Sequence, residues 1–191
     1  MGCGGVNLLI DIENSIKAAQ SKSYEHWAKI HNLKQAAKIM NFLTEHKIEQ
    51  YADLVSRIEE VAAENEQAAD ALKSVEKRLA DMAVLMKHVA TYQKTKPVYD
   101  AYRKAKNKER YRAGHERDII LHEAAAKALK AAGITKLPNP ATLQKEYKAL
   151  QAQKEALYAD YGKLKKKVRE YDVINQNIDS ILRQEKEPER G

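Results

Sequence analysis

From Leu54 onward, seam positions recur at alternating intervals of four and three residues: Leu54, Ile58, Val61, Asn65, Ala68, Leu72, Val75, Leu79, Met82, Met86 and Val89. This 3.5-residue repeat is the signature of a coiled-coil seam. The C-terminal third keeps the same rhythm through Leu143, Tyr147, Leu150, Lys154, Leu157, Tyr161, Leu164, Val168, Tyr171, Asn175, Ile178 and Leu182. Two helices of about 40 residues would each run roughly 60 Å. Parallel pairing within one chain would need a return connection of that length, so the pattern predicts an antiparallel hairpin. Asn65 and Asn175 interrupt the two seams at ends that such pairing brings together. Their amides are therefore candidates to meet and fix the register.

Upstream, no glycine occurs between Gly5 and Gly114 and no proline before Pro97, so helix is the default reading from Val6 to Tyr92. Polar connectors divide that stretch. Ser23 is placed to cap a helix carrying Tyr24, Trp27 and Ile30. Asn32 with Gln35 three residues later forms a capping-box pattern, predicting a separate helix from Leu33 to His46 with Ala37, Met40 and Leu43 on one face. One continuous helix from Tyr24 to His46 is the alternative. Between the long arms, Lys96-Pro97 is expected to break the first of them, because a residue before proline avoids helical geometry. A short helix then carries Val98, Tyr99 and Tyr102, Asn107 offers a break, and a further helix runs to Ala132. Gly114 is awkward within it, at about 1 kcal/mol relative to Ala. Gly133 is placed to end it in the left-handed C-cap, with Ile134 folding back. Asn139-Pro140 restarts the chain as N-cap and first helical residue.

The expected architecture is all-α: N-terminal helices over residues 1–50, a first arm over 51–93, a helical tip over 94–139, a second arm over 140–183 and a disordered tail over 184–191. Composition agrees, with 32% charged and 6% aromatic residues in a chain of 191. The single cysteine, Cys3, excludes an internal disulfide framework and gives no thiolate metal site; it weakly suits a reduced, cytoplasmic compartment. No apolar run approaches the roughly 20 residues needed to span a bilayer. The opening Met1-Gly2-Cys3 lacks the Ser or Thr that an acylation signal wants at position 6, where Val6 stands.

Charge is concentrated. Residues 1–93 carry net −2 and residues 170–191 net −3, whereas 94–130 and 131–169 carry +6 each. Such a distribution suits one end of the hairpin to a polyanion. Within that end, YDAYRKAKNKERYR interleaves Tyr99, Tyr102 and Tyr111 with Arg103, Lys104, Lys106, Lys108, Arg110 and Arg112. Cations neutralise phosphates, and aromatic faces stack on unpaired bases. The competing reading packs the tyrosines into a small core and leaves the cations as a solvated face. The run from Lys163 to Arg169 flanks the seam residues Leu164 and Val168 and reads as a solvated face. In HERDIILHE, Asp118 and His122 lie four apart, but the stretch is no HExxH motif and a third metal ligand has no source; an ordinary helical ion pair fits better. No metal, cofactor or catalytic cluster is expected, and the chain does not read as an enzyme.

The blocks YEHWAKIHNLKQAAKIMNFLTEHKI, TYQKTKPVYDAYRKA, HERDIILHEAAAKALKAAG and KLPNPATLQKEYKALQAQKEALYADY, in that order, resemble the C-terminal region of relaxase/mobilisation nuclease proteins from conjugative and mobilisable elements of Gram-positive bacteria. The resemblance covers roughly residues 6–182. It implies an upstream nuclease domain that nicks DNA through a tyrosine and a histidine-bound metal, none of whose catalytic residues has a counterpart here. Gly4-Gly5-Val6-Asn7-Leu8-Leu9-Ile10-Asp11-Ile12 matches a GGxxLLIDI-type segment, so the chain is expected to begin after that domain. Gly114 departs from the polar helix formers expected at its place.

Two functions follow. In one, the chain is a DNA-contacting arm of a relaxase that holds single- or double-stranded DNA near a transfer origin through its basic tip. In the other, it is a stalk that forms a homodimer or docks on a coupling protein or relaxosome component. That stalk would use the apolar face of Leu8, Leu9, Ile12 and Ile16 or its acidic base.

Overall fold

The computed structural model describes residues 7–21 and 26–183, with side-chain surroundings throughout except at 18–21, 26–32 and 183. These residues form six α-helices and no strand: α1 (Leu8–Ser21), α2 (His26–Glu45), α3 (Tyr51–Lys104), α4 (Lys108–Gly114), α5 (Glu116–Ala131) and α6 (Pro140–Arg183). The chain is all-α. Expectations placed on Cys3, Gly4 to Val6, Ser23, the side chains of Tyr24, Trp27 and Ile30, and the 184–191 tail lie outside the described residues. Two compact units divide the chain, Met1–Ala68 with Asp160–Gly191 and Ala69–Ala159. Both α3 and α6 contribute residues to each.

All of the predicted seam residues on α3 and α6 are buried or half-buried. In the first unit they join α1 and α2 around a core of Leu8, Ile12, Ile39, Leu43, Leu54, Val61, Tyr171 and Ile178. The Oδ1 atom of Asn7 accepts from the Leu9 N–H at 2.9 Å and starts α1. The Leu8 N–H donates to the Glu49 carbonyl at 2.8 Å, tying that start to the α2–α3 connection. The apolar α1 face offered for docking is therefore already covered: Leu8 and Ile12 are fully buried, and Leu9 and Ile16 pack against the same core.

The predicted break at Asn32 is absent and the alternative of a continuous helix holds, since α2 runs unbroken from His26 to Glu45. Asn inside a helix costs only a few tenths of a kcal/mol, and no Gly or Pro enforces a stop. The buried face of α2 is Ala36, Ile39, Phe42 and Leu43, with Met40 half-buried and Ala37 exposed. The helix ends in a Schellman motif, with the Ile48 N–H on the Leu43 carbonyl at 2.9 Å and the Lys47 N–H on that of Thr44 at 3.2 Å. Ile48 and Leu43, both fully buried, supply its hydrophobic contact. Lys47 occupies the left-handed position at φ 55°, which disfavours any residue with a Cβ. Replacing Lys47 with glycine is expected to raise stability by about 0.5–1 kcal/mol, measured by urea denaturation; a loss would mean that the Lys47 side chain contributes an interaction of its own.

The two seam amides do not meet. The Tyr51 hydroxyl donates to Asn175 Oδ1 at 3.4 Å, and the buried Oδ1 of Asn65 has no partner among the described residues.

In the second unit, α3 and α6 run antiparallel. Lys154 pairs with Glu76 at 3.7 Å, and further along Val89 packs with Leu143, so α6 numbering falls as α3 numbering rises. Val75, Leu79 and Leu150 form one cluster and Val89, Leu129 and Leu143 another. The capping expectations hold at both remaining junctions. Gly133 adopts φ 76°, and the Ile134 N–H reaches back to the Leu129 carbonyl at 3.0 Å. Asn139 Oδ1 accepts from the Ala141 N–H at 2.9 Å ahead of the long α6.

Candidate nucleic-acid interface

The basic stretch is carried by the end of α3, the turn at residues 105–107 and α4. Contrary to expectation, α3 does not stop before Pro97 but continues through it to Lys104. A proline inside a helix removes one backbone hydrogen bond and its ring crowds the preceding turn, at about 3 kcal/mol. Packing from α5 offsets that cost.

The face of α3 formed by Tyr92, Thr95, Tyr99 and Tyr102 continues at spacings of three, four and three, straddling the proline. Opposite it lies a stripe of α5: Ile119, His122, Ala125 and Leu129, all buried. The His122 ring sits between Tyr92 and Tyr99, with both centroids 4.4 Å away. Its Nδ1 lies 2.9 Å from the Thr95 hydroxyl. That hydroxyl also lies 2.7 Å from the Thr91 carbonyl. Its one proton goes to that carbonyl, and the histidine then donates from Nδ1. Residues on both sides of Pro97 are thus fastened to one buried imidazole.

The stack continues outward. Tyr99 and Tyr102 are 6.0 Å apart, Tyr102 and Tyr111 6.4 Å, and Tyr111 and His115 4.2 Å. Six rings therefore form a ladder joining α3, α4 and α5. Asn107 caps α4, its Oδ1 accepting from the Arg110 N–H at 3.0 Å. The expected single helix from there to Ala132 is divided: α4 ends at Gly114, and His115, at φ −134°, separates it from α5. Gly114 thus closes one helix rather than weakening the middle of another.

Among the predicted contact residues, Arg112 is engaged internally. Its guanidinium lies 5.9 Å from the Tyr102 ring centre and 3.5 Å from a Glu123 carboxylate oxygen. Arg103, Lys104, Lys106, Lys108 and Arg110 are all exposed and form no ion pair among the described residues. Tyr99, Tyr102 and Tyr111 are half-buried in the ladder. On α6, Lys165, Lys166 and Lys167 lie on an exposed face, as expected, with Lys165 4.4 Å from the Tyr161 ring centre.

His122 pairs with neither Asp118 nor a metal-binding group; its place in the ladder was the unrecognised feature of the sequence. The signal was there, since His122 falls on an apolar stripe and faces a seam that changes from aliphatic to aromatic after Val89. Burial pushes its imidazole below the ordinary value, against smaller upward pulls from the Tyr92 backbone and Asp100. The folded protein therefore takes up this proton at lower pH than the unfolded chain. Its contribution to stability is intact above about pH 6.5 and is lost as pH falls toward the depressed folded value. Melting temperature should drop between pH 7.5 and pH 5, and His122→Phe, which keeps a ring without a titrating group, should flatten that drop. An undiminished drop in the variant would assign the pH sensitivity to other groups.

No helix among the described residues is long and apolar enough to cross a membrane. No family model, curated protein or solved structure matches the chain.

Proposed function

We propose that this chain is a non-catalytic helical accessory domain of a DNA relaxase of mobilisable elements, contacting DNA through its basic tip. The observation that carries the DNA contact is the group of five exposed cations that form no ion pair among the described residues, Arg103, Lys104, Lys106, Lys108 and Arg110, on a segment held by half-buried tyrosines and the buried His122. The unit that holds them, residues 69–159, has 19 basic and 10 acidic side chains, so a polyanion is attracted to it from a distance as well as at contact. The relaxase assignment rests on the ordered sequence blocks around Trp27, Pro97 and Gly133. The nick itself belongs, on this reading, to an upstream domain, and the cytoplasm is where such a protein works.

Titration of a fluorescent DNA at two salt concentrations tests the contact. Binding that weakens steeply with salt supports it, because each phosphate neutralised releases counterions. Absence of binding at low salt overturns it.

A protein-interaction stalk has one observation of its own, an open groove in which Leu79, Ala83, Tyr147 and Tyr158 lie beside the Glu76–Lys154 pair, with Tyr158 65% exposed. That reading expects a concentration-dependent mass by light scattering or capture of a coupling protein. A strict monomer that captures nothing counts against it.

A further inference from the structure

We infer that the tip grips the phosphate backbone of duplex DNA and does not read or stack on bases. The inference rests on the DNA-contact reading above and sharpens it. Proteins that hold single strands without sequence preference combine a positive groove with aromatic faces left free for bases. Here the interleaved tyrosines are not free. Tyr92 and Tyr99 each lie against His122. Tyr102 is flanked by Tyr99 and Tyr111, with Arg112 across it, and Tyr111 lies against His115. Splaying one ring outward to meet a base would open the ladder that holds α3 together through Pro97 and joins it to α4 and α5. Only the outermost ring, His115, is exposed.

The cations are arranged the other way. The five that form no ion pair among the described residues are exposed, and four of them, from Lys104 to Arg110, run from the last residue of α3 across a turn into the start of α4. Of the three arginines in the stretch, Arg112 faces Glu123, while Arg103 and Arg110 stay exposed. What remains outward is solvent-exposed positive charge, two guanidiniums and three ammoniums, beside half-buried tyrosines. Such a surface neutralises phosphates and gives little discrimination between sequences. Duplex DNA, which presents phosphate at higher density than a single strand, is the better ligand for it.

The experiment compares fluorescent duplexes of two unrelated sequences with the corresponding single strands, using the full chain at 50 and 200 mM salt. Tighter binding of both duplexes, equal to within a few-fold, is expected. The logarithmic salt slope should approach about −4 to −5 if all five cations are engaged, since each phosphate contributes about −0.9. His115→Ala should leave duplex affinity unchanged. Tighter binding of single strands, or loss of affinity in His115→Ala, would overturn the inference while leaving DNA contact standing. No binding to either form would remove the DNA reading itself.

Discussion

Replacing His122 with alanine is expected to destabilise the protein by about 3 kcal/mol. The imidazole is 3% exposed, so its removal leaves a cavity rather than a solvated gap. Two aromatic contacts are lost with it, each contributing about 0.5–1.5 kcal/mol beyond burial, together with the hydrogen bond that His122 gives the Thr95 hydroxyl. More important is where the loss falls. Tyr92 and Tyr99 stand on opposite sides of Pro97, and without the ring between them the helix beyond the proline loses its tether. Backbone amides after Pro97, from Val98 to Lys104, should therefore exchange hydrogen much faster in His122→Ala, while those around Leu54 and Val61 stay protected. Pro97→Ala in the same chain should restore part of that protection by returning the missing N–H. Uniform loss of protection throughout the chain would show instead that His122 supports the whole fold.

The second large effect concerns binding. Replacing Arg103, Lys104, Lys106, Lys108 and Arg110 together with glutamate should weaken DNA affinity by at least about 100-fold at low salt and nearly abolish its salt dependence. All five side chains are exposed, and none supports the ladder, so the variant should retain the melting temperature of the parent to within a few degrees. Arg112 is left in place because its pairing with Glu123 and Tyr102 is internal. Single replacements should each reduce the salt slope by about one contact, without any one position dominating.

The long helices were legible because a heptad repeat is a redundant signal: every seam position from Leu54 to Val89 and from Leu143 to Leu182 is at least half-buried. The junctions at Gly133 and Asn139 were legible because each uses a residue whose backbone or side chain has one favoured role there. The errors share a physical origin. At Asn32, Pro97 and the Asn65–Asn175 pair, a local preference of at most about 3 kcal/mol was read without the tertiary packing that opposes it. Pro97 is tolerated because α5 presents His122 across it. Asn32 is carried through by the buried face of Ala36, Ile39 and Leu43. Asn175 finds Tyr51 instead of the other amide. The apolar face of α1 was correctly seen, but whether a neighbour in the same chain covers it depends on how the helices pack. For the basic stretch, residue types were legible and roles were not: the sequence interleaves tyrosine and cation, and only the packed structure sorts the tyrosines inward and the cations outward.

DNA holding by the tip is tested most directly by the affinity of a labelled DNA duplex for the parent chain, the five-residue glutamate variant, and a control in which Lys165, Lys166 and Lys167 are changed to glutamate instead. All three should first be shown equally helical by circular dichroism. The parent and the control should bind in a strongly salt-dependent way, and the tip variant should not. Equal affinity of the parent and the tip variant would contradict this, because the exposed cations between Arg103 and Arg110 would then have no part in holding DNA.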